Sequence, residues 1–181
     1  AALVPHGRIQ PSPDTRIFQW DACSGYYYAD STINGFSHTH LSGTGCGDYG
    51  DVLLMPTVGR QDYHAMGKKS QQMAYASPFS HGREKAEPGY YSVFLDRYGV
   101  QAELTSTKRA AIHRYTFPKS GKAGFILDLD YSLQRQKNEE MKLEVISDTE
   151  IRGHKKTVYW AFDQYINFYA KFSKPFPYPV V

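Results

Sequence analysis

The chain has 181 residues, 41% hydrophobic, 22% charged and 15% aromatic, with 21 lysines and arginines against 18 aspartates and glutamates for a formal charge of +3. That length and balance suit one ordinary globular domain able to bury a sizeable core, and they exclude a disordered chain. The basic residues are scattered, so nucleic acid is not implied as a partner, and no run approaches the ~20 apolar residues of a membrane span.

The start, Ala1-Ala2-Leu3-Val4-Pro5, enters directly into patterned sequence. Trp20 to Thr57 follows as the most biased stretch, combining aromatics, two histidines, two cysteines, glycines and carboxylates. A core strand asks for aliphatics and a plain loop for Gly, Asn, Asp and Pro, so packing alone does not explain this mixture. The stretch is therefore the candidate functional segment, and Asp51 to Pro56 within it reads as a strand.

Gly59 to Pro88 is long, polar and mostly unpatterned, which predicts a functional loop or an inter-domain contact. Tyr91, Val93 and Leu95 alternate, as do Val100, Ala102 and Leu104, with Tyr98-Gly99 between them, which predicts a hairpin. Arg109 to Phe117 is a further strand, closed by Pro118 and the Lys119–Lys122 turn, and Phe125 to Leu129 is the next. Ser132 to Met141 carries good helix formers without an apolar stripe and reads as a polar loop.

Late strands are predicted around Met141, Leu143 and Val145, around Val158, Trp160 and Phe162, and from Ile166 to Phe172. His154-Lys155-Lys156 reads as a solvated strand end. Short strands at regular spacing, separated by Gly, Pro and Asp turns, predict an all-β fold, an antiparallel β-sandwich in preference to a barrel. The fifteen tyrosines suit strands first, and secondly surfaces that stack on sugar rings while offering a hydroxyl. Both ends read as those of a fragment of a longer polypeptide.

Gly45-Cys46-Gly47-Asp48-Tyr49-Gly50 satisfies a dinucleotide pattern by letter, but a strand follows where the fingerprint needs a helix. His38 and His40 would share one side of an extended strand, where they serve as structural hydrogen-bonders, as ligand contacts, or as a metal grip completed by His64, Cys46 or Asp48. Cys23 lacks the spacing of a catalytic dyad, and a Cys23–Cys46 bridge is open. Asp21, Asp30, Asp48 and Asp51 could supply paired carboxylates, but spatial separation decides that. Glycines from Gly43 to Gly50 fit either a tight connection or a backbone that approaches a ligand closely.

Particular residues carry a resemblance. Trp20-Asp21-Ala22-Cys23-Ser24-Gly25-Tyr26 followed by Gly35-Phe36-Ser37-His38-Thr39-His40-Leu41-Ser42-Gly43-Thr44-Gly45 resembles the N-terminal domain of glycoside hydrolase family 92, the exo-acting α-mannosidases. Ser12-Pro13-Asp14-Thr15-Arg16, Ser80-His81, Glu84 to Tyr91, Arg114 to Pro118 and Phe172 to Phe176 are similar to further motifs of that family, so the resemblance runs nearly the whole length.

It implies an N-terminal β-sandwich of the galactose-mutarotase-like supersandwich type, which this length of chain need not complete. It further implies a C-terminal helical barrel that carries the general acid, the general base and most ligands of a calcium ion, in an enzyme that inverts anomeric configuration. This chain is then expected to hold no catalytic residue and no metal site of its own, and to be inactive alone. The family's partners would be mannose-containing glycans and the helical domain of the same polypeptide. The resemblance further implies a bacterial periplasmic, cell-surface or secreted protein that degrades N-glycans. An unfinished sandwich would leave a sheet edge open to a second copy.

The candidate substrate-pocket residues are Arg16, Trp20, Asp21, Cys23, Gly25, Tyr26, His38, His40, Gly43, Gly45 and Asp48. Arg and Asp direct hydrogen bonds to sugar hydroxyls, aromatics stack on apolar sugar faces, and glycines let backbone come close. Arg16 fits a core-edge salt bridge equally well. Two other readings stand beside this one: a free-standing carbohydrate-binding module, and a scaffold that docks the helical domain.

Overall fold

The computed structural model describes residues 2–41, 47–61, 72–134 and 136–177, and the chain divides into two compact units, Ala1–Gln134 and Arg135–Val181. The described strands are all antiparallel.

The first unit is a sandwich. One sheet has the order β1-β3-β4-β10, from Ser12–Asp14, Gly35–Ser37, Leu53–Val58 and Ala123–Asp128. The other has the order β6-β7-β8-β9, from Glu84–Glu87, Tyr90–Leu95, Val100–Ser106 and Ala111–Thr116. A short pair, β2 (Thr32–Ile33) with β5 (Ser77–Pro78), accompanies them.

The predicted hairpin is β7–β8. Period-two alternation sends Tyr91, Val93, Leu95, Val100, Ala102 and Leu104 into the core, and Gly99 takes the positive φ of 64° at the turn. Phe36, Leu53, Met55 and Ile126 fill the core from the facing sheet. The Phe36 ring lies 6.4 Å from the rings of Tyr91, His113 and Tyr115, so two sheets meet at one aromatic layer. Each fully buried side chain of this size contributes about 1.5–3 kcal/mol of transfer free energy.

Of the stretch Gly59 to Pro88, residues 62–71 lie outside the described residues, and the part from Gln72 onward is more ordered than its composition suggests. Ser77–Pro78 pairs with Thr32–Ile33, and Glu84–Glu87 forms the edge strand β6 beside β7. Edge strands carry charge because their outer backbone faces water, and that charge masks the strand pattern in the sequence. A one-turn 3-10 helix, His81–Arg83, leads into β6, with Ser80 Oγ accepting from Gly82 N at 3.3 Å.

The second unit is a meander of β11 (Lys137–Val145), β12 (Glu150–Val158) and β13 (Gln164–Lys171). Where the sequence predicts a polar loop through Met141, the strand already starts at Lys137. A register shift between Asn138 and Glu140 breaks the alternation that would have revealed it. The strand predicted through Trp160 and Phe162 stops at Val158, and both rings stand exposed on the connecting turn.

His154-Lys155-Lys156 is no solvated strand end. It lies within β12, and Lys155 is fully buried on the face shared with Ile151 and Thr157.

Candidate functional site

β1 and β3 hold a buried polar network beneath the biased segment. Ser37 Oγ donates to Asp14 Oδ2 at 2.6 Å, and His40 Nε2 lies 2.8 Å from Asp14 Oδ1. His40 Nδ1 donates to the Gln10 carbonyl at 2.8 Å. His40 is thus a buried structural hydrogen-bonder.

His38 is another. Its Nδ1 donates to the Val52 carbonyl at 2.6 Å, and its ring stacks on His113 at 4.8 Å between centroids. Burial lowers the pKa of both imidazoles, with charge on His40 adding to the effect at His38 and charge on His38 adding to it at His113. Val52 itself sits at φ 57°, which a branched residue adopts only under strain.

Each of the two histidines is thus occupied by separate partners. Among the described residues no three side chains of His, Cys, Asp or Glu are grouped so as to hold a metal ion. Asp48 is buried, with Oδ1 accepting from Tyr49 N at 2.9 Å, and Asp51 exchanges hydrogen bonds with Thr39. Cys23 is half-buried. Gly43, Gly45, Cys46 and His64 lie outside the described residues, and with them the Cys23–Cys46 bridge and two of the three candidate third metal ligands.

Gly25 has φ 86°, and a Cβ there would meet Asp14 Oδ1 at 2.1 Å. The close approach its glycine allows is to the protein's own carboxylate.

Arg16 makes the salt bridge. Nε donates to Asp30 Oδ2 at 2.7 Å, Nη2 bonds Oδ1 of the same carboxylate, and the guanidinium lies 3.9 Å over the Tyr27 ring. Thr15 Oγ1 also donates to Asp30 at 2.7 Å. Arg16 therefore holds Asp30 below the usual carboxylate range. Its Nη1 reaches Asp21 at 3.4 Å, on the 3-10 turn Trp20–Ala22, and Asp21 stays 39% exposed.

The segment between residues 18 and 28 carries a run of exposed aromatics. Among the described residues of the first unit, the exposed large hydrophobics are Phe18, Trp20, Tyr27 and Tyr28, together with Ile112 on β9, so all but one fall between residues 18 and 28. Trp20 is 77% exposed beside Asp21. Tyr26 points the other way, its hydroxyl donating to Glu84 Oε2 at 3.0 Å, and burial raises its pKa.

Sequence reasoning placed Asp14, His81 and Glu84 in motifs without giving them roles. Their signal was spacing: Glu84 follows His81 by three residues across one turn, and Asp14 precedes a Thr-Arg pair that both bind Asp30.

Residues 1–178 match the family model described as the glycosyl hydrolase family 92 N-terminal domain. A family GH92 α-mannosidase of Bacteroides thetaiotaomicron, solved with mannoimidazole, is 41% identical with a TM-score of 0.89, over 96% of this chain and 23% of that one. A GH92 family glycosyl hydrolase called ccman5 is 31% identical with a TM-score of 0.73, over 88% of this chain and 22% of its own. An uncharacterized secreted glycosidase of Arthroderma benhamiae is 32% identical over 118 residues, 65% of this chain and 15% of that protein. The chain thus spans less than a quarter of the length of each of these relatives.

Proposed function

Because the chain belongs to glycosyl hydrolase family 92, as its N-terminal domain, we propose that it forms one wall of the sugar pocket of an exo-α-mannosidase that removes terminal α-mannosides from glycans. The observation that carries this is the exposure of Trp20 and Tyr27 about the half-open Asp21, with Arg16 lying over the Tyr27 ring and bonded to both Asp21 and Asp30. Exposed rings next to a half-open carboxylate match what a pyranose offers: an apolar face of C–H bonds and a rim of hydroxyl donors.

In this reading the acid, the base and the calcium ion belong to the helical domain, and hydrolysis inverts the anomeric centre. This segment binds and orients. Asp14, Asp30 and Glu84 are each committed to internal partners. The α-mannosidase and secreted glycosidase among its relatives support a mannoside substrate and a protein that works outside the cytoplasm.

The test is hydrolysis of α-mannobiosides by the complete polypeptide and its Asp21→Ala variant. The expected result is cleavage by the wild type and a raised KM in the variant. A wild type inactive on mannosides, or a variant with unchanged kinetics, overturns the reading. Hydrolysis by residues 1–181 alone would overturn the division of labour.

A further inference from the structure

Tyr28 is 70% exposed, yet its ring is not loose: it lies parallel to the His81 imidazole, 4.2 Å between centroids and 12° between planes. His81 is fixed in turn. Its Nδ1 lies 2.6 Å from Glu84 Oε2, and Phe79 abuts it edge-on at 5.1 Å. Glu84, nearly buried, also accepts the hydroxyls of Tyr26 at 3.0 Å and of Tyr91 at 2.5 Å, and Tyr91 is a core residue of β7. A chain of contacts therefore runs from the sandwich core through a carboxylate and an imidazole to one solvent-facing ring.

We propose that Tyr28 is a stacking platform for a pyranose unit of the glycan and that His81, backed by Glu84, is its positioning residue. This rests on the sugar-pocket reading above and extends it to a support that Trp20 and Asp21 do not share, since Asp21 is tied to Arg16 and Tyr28 to His81. One face of the phenol ring is covered by the imidazole, which leaves the other for a ligand. A ring held flat before binding loses little rotamer freedom on contact, which is where preorganisation adds affinity. Packing gains little from the arrangement at its outer end, because a ring so exposed removes little apolar area from water.

The test measures binding and hydrolysis of an α-mannotriose by the complete polypeptide. Tyr28→Ala weakens binding and raises KM about five- to tenfold with kcat unchanged, whereas Tyr28→Phe matches the wild type. His81→Ala produces a smaller loss in the same direction, and His81→Phe, which restores a ring beneath Tyr28, recovers it. Exposure of Tyr28 keeps its variants folded, so unchanged thermal midpoints accompany these effects. Wild-type affinity and KM in both Tyr28→Ala and His81→Ala overturn the proposal. A wild type that binds the trisaccharide through Tyr28 but cleaves no mannoside overturns the function proposed above and leaves this one standing. A wild type that does not bind the trisaccharide overturns both.

Discussion

Gly25 lies against the Asp14 carboxylate so closely that a Cβ on residue 25 would stand 2.1 Å from Oδ1, with the backbone at φ 86°. Asp14 cannot retreat, since its two oxygens hold Ser37 and His40 at 2.6 and 2.8 Å in a fully buried site. Gly25→Ala therefore combines a left-handed alanine with a clash against a buried network, and is expected to cost about 2–4 kcal/mol. Thermal or urea unfolding of the variant reads this directly. A loss below half a kcal/mol would show that the network yields.

Acid is expected to destabilise the first unit through His38 and His113. Burial lowers both pKa values in the fold from about 6.5, so the unfolded chain takes up protons first as pH falls. Stability is full above about pH 6.5 and declines below it, down to the folded-state values. Asp30 works in another window: its pKa is lowered by Arg16, so its contribution holds above the ordinary carboxylate range and is lost only at stronger acid. Unfolding free energies at pH 7.5, 6 and 5 should therefore fall, and His38→Gln, which keeps a donor toward the Val52 carbonyl, should flatten the slope.

Asp30→Asn removes one acceptor of a bidentate pair and presents an amide to a guanidinium already stacked on Tyr27. The expected loss is about 1–2 kcal/mol. Arg16→Lys should lose a similar amount, because an ammonium cannot bridge both oxygens and lie flat on the ring. Equal loss in the single variants and in the double variant, measured by unfolding, is the signature of one shared interaction.

Strands were legible where alternation is unbroken: β7, β8, β9 and β13 follow from it alone, and the β7–β8 pairing follows from the turn between them. They were illegible at β6, an edge of charged residues, and at β11, where a register shift interrupts the period. The chemistry of the biased segment divides in a way composition does not show. His38, His40 and Gly25 serve the interior, while Trp20, Asp21 and Tyr28 face outward. Long-range partners decide that division. Tyr26 finds Glu84 across 58 residues, a pairing no local pattern encodes.

Chelation should separate the two parts of the proposed enzyme. No described cluster of three ligating side chains exists in this segment, so its unfolding midpoint is expected to stay unchanged in excess EDTA. Mannosidase activity of the complete polypeptide is expected to fall and to return with added calcium. A midpoint that drops in the isolated segment would place a metal site within it.

Trp20 offers the sharpest division between folding and recognition. Its side chain is 77% exposed on a single 3-10 turn, so Trp20→Ala removes almost no buried area and should change stability by less than about 0.5 kcal/mol. If the ring stacks on substrate, the same change should raise KM about tenfold, since an aromatic contact of this kind is worth about 0.5–1.5 kcal/mol beyond the area it buries. Trp20→Phe, which keeps a smaller apolar face, should fall between. A ring that merely docks a neighbouring domain would respond differently: Trp20→Ala would lower the thermal midpoint of the complete polypeptide while leaving its KM unchanged.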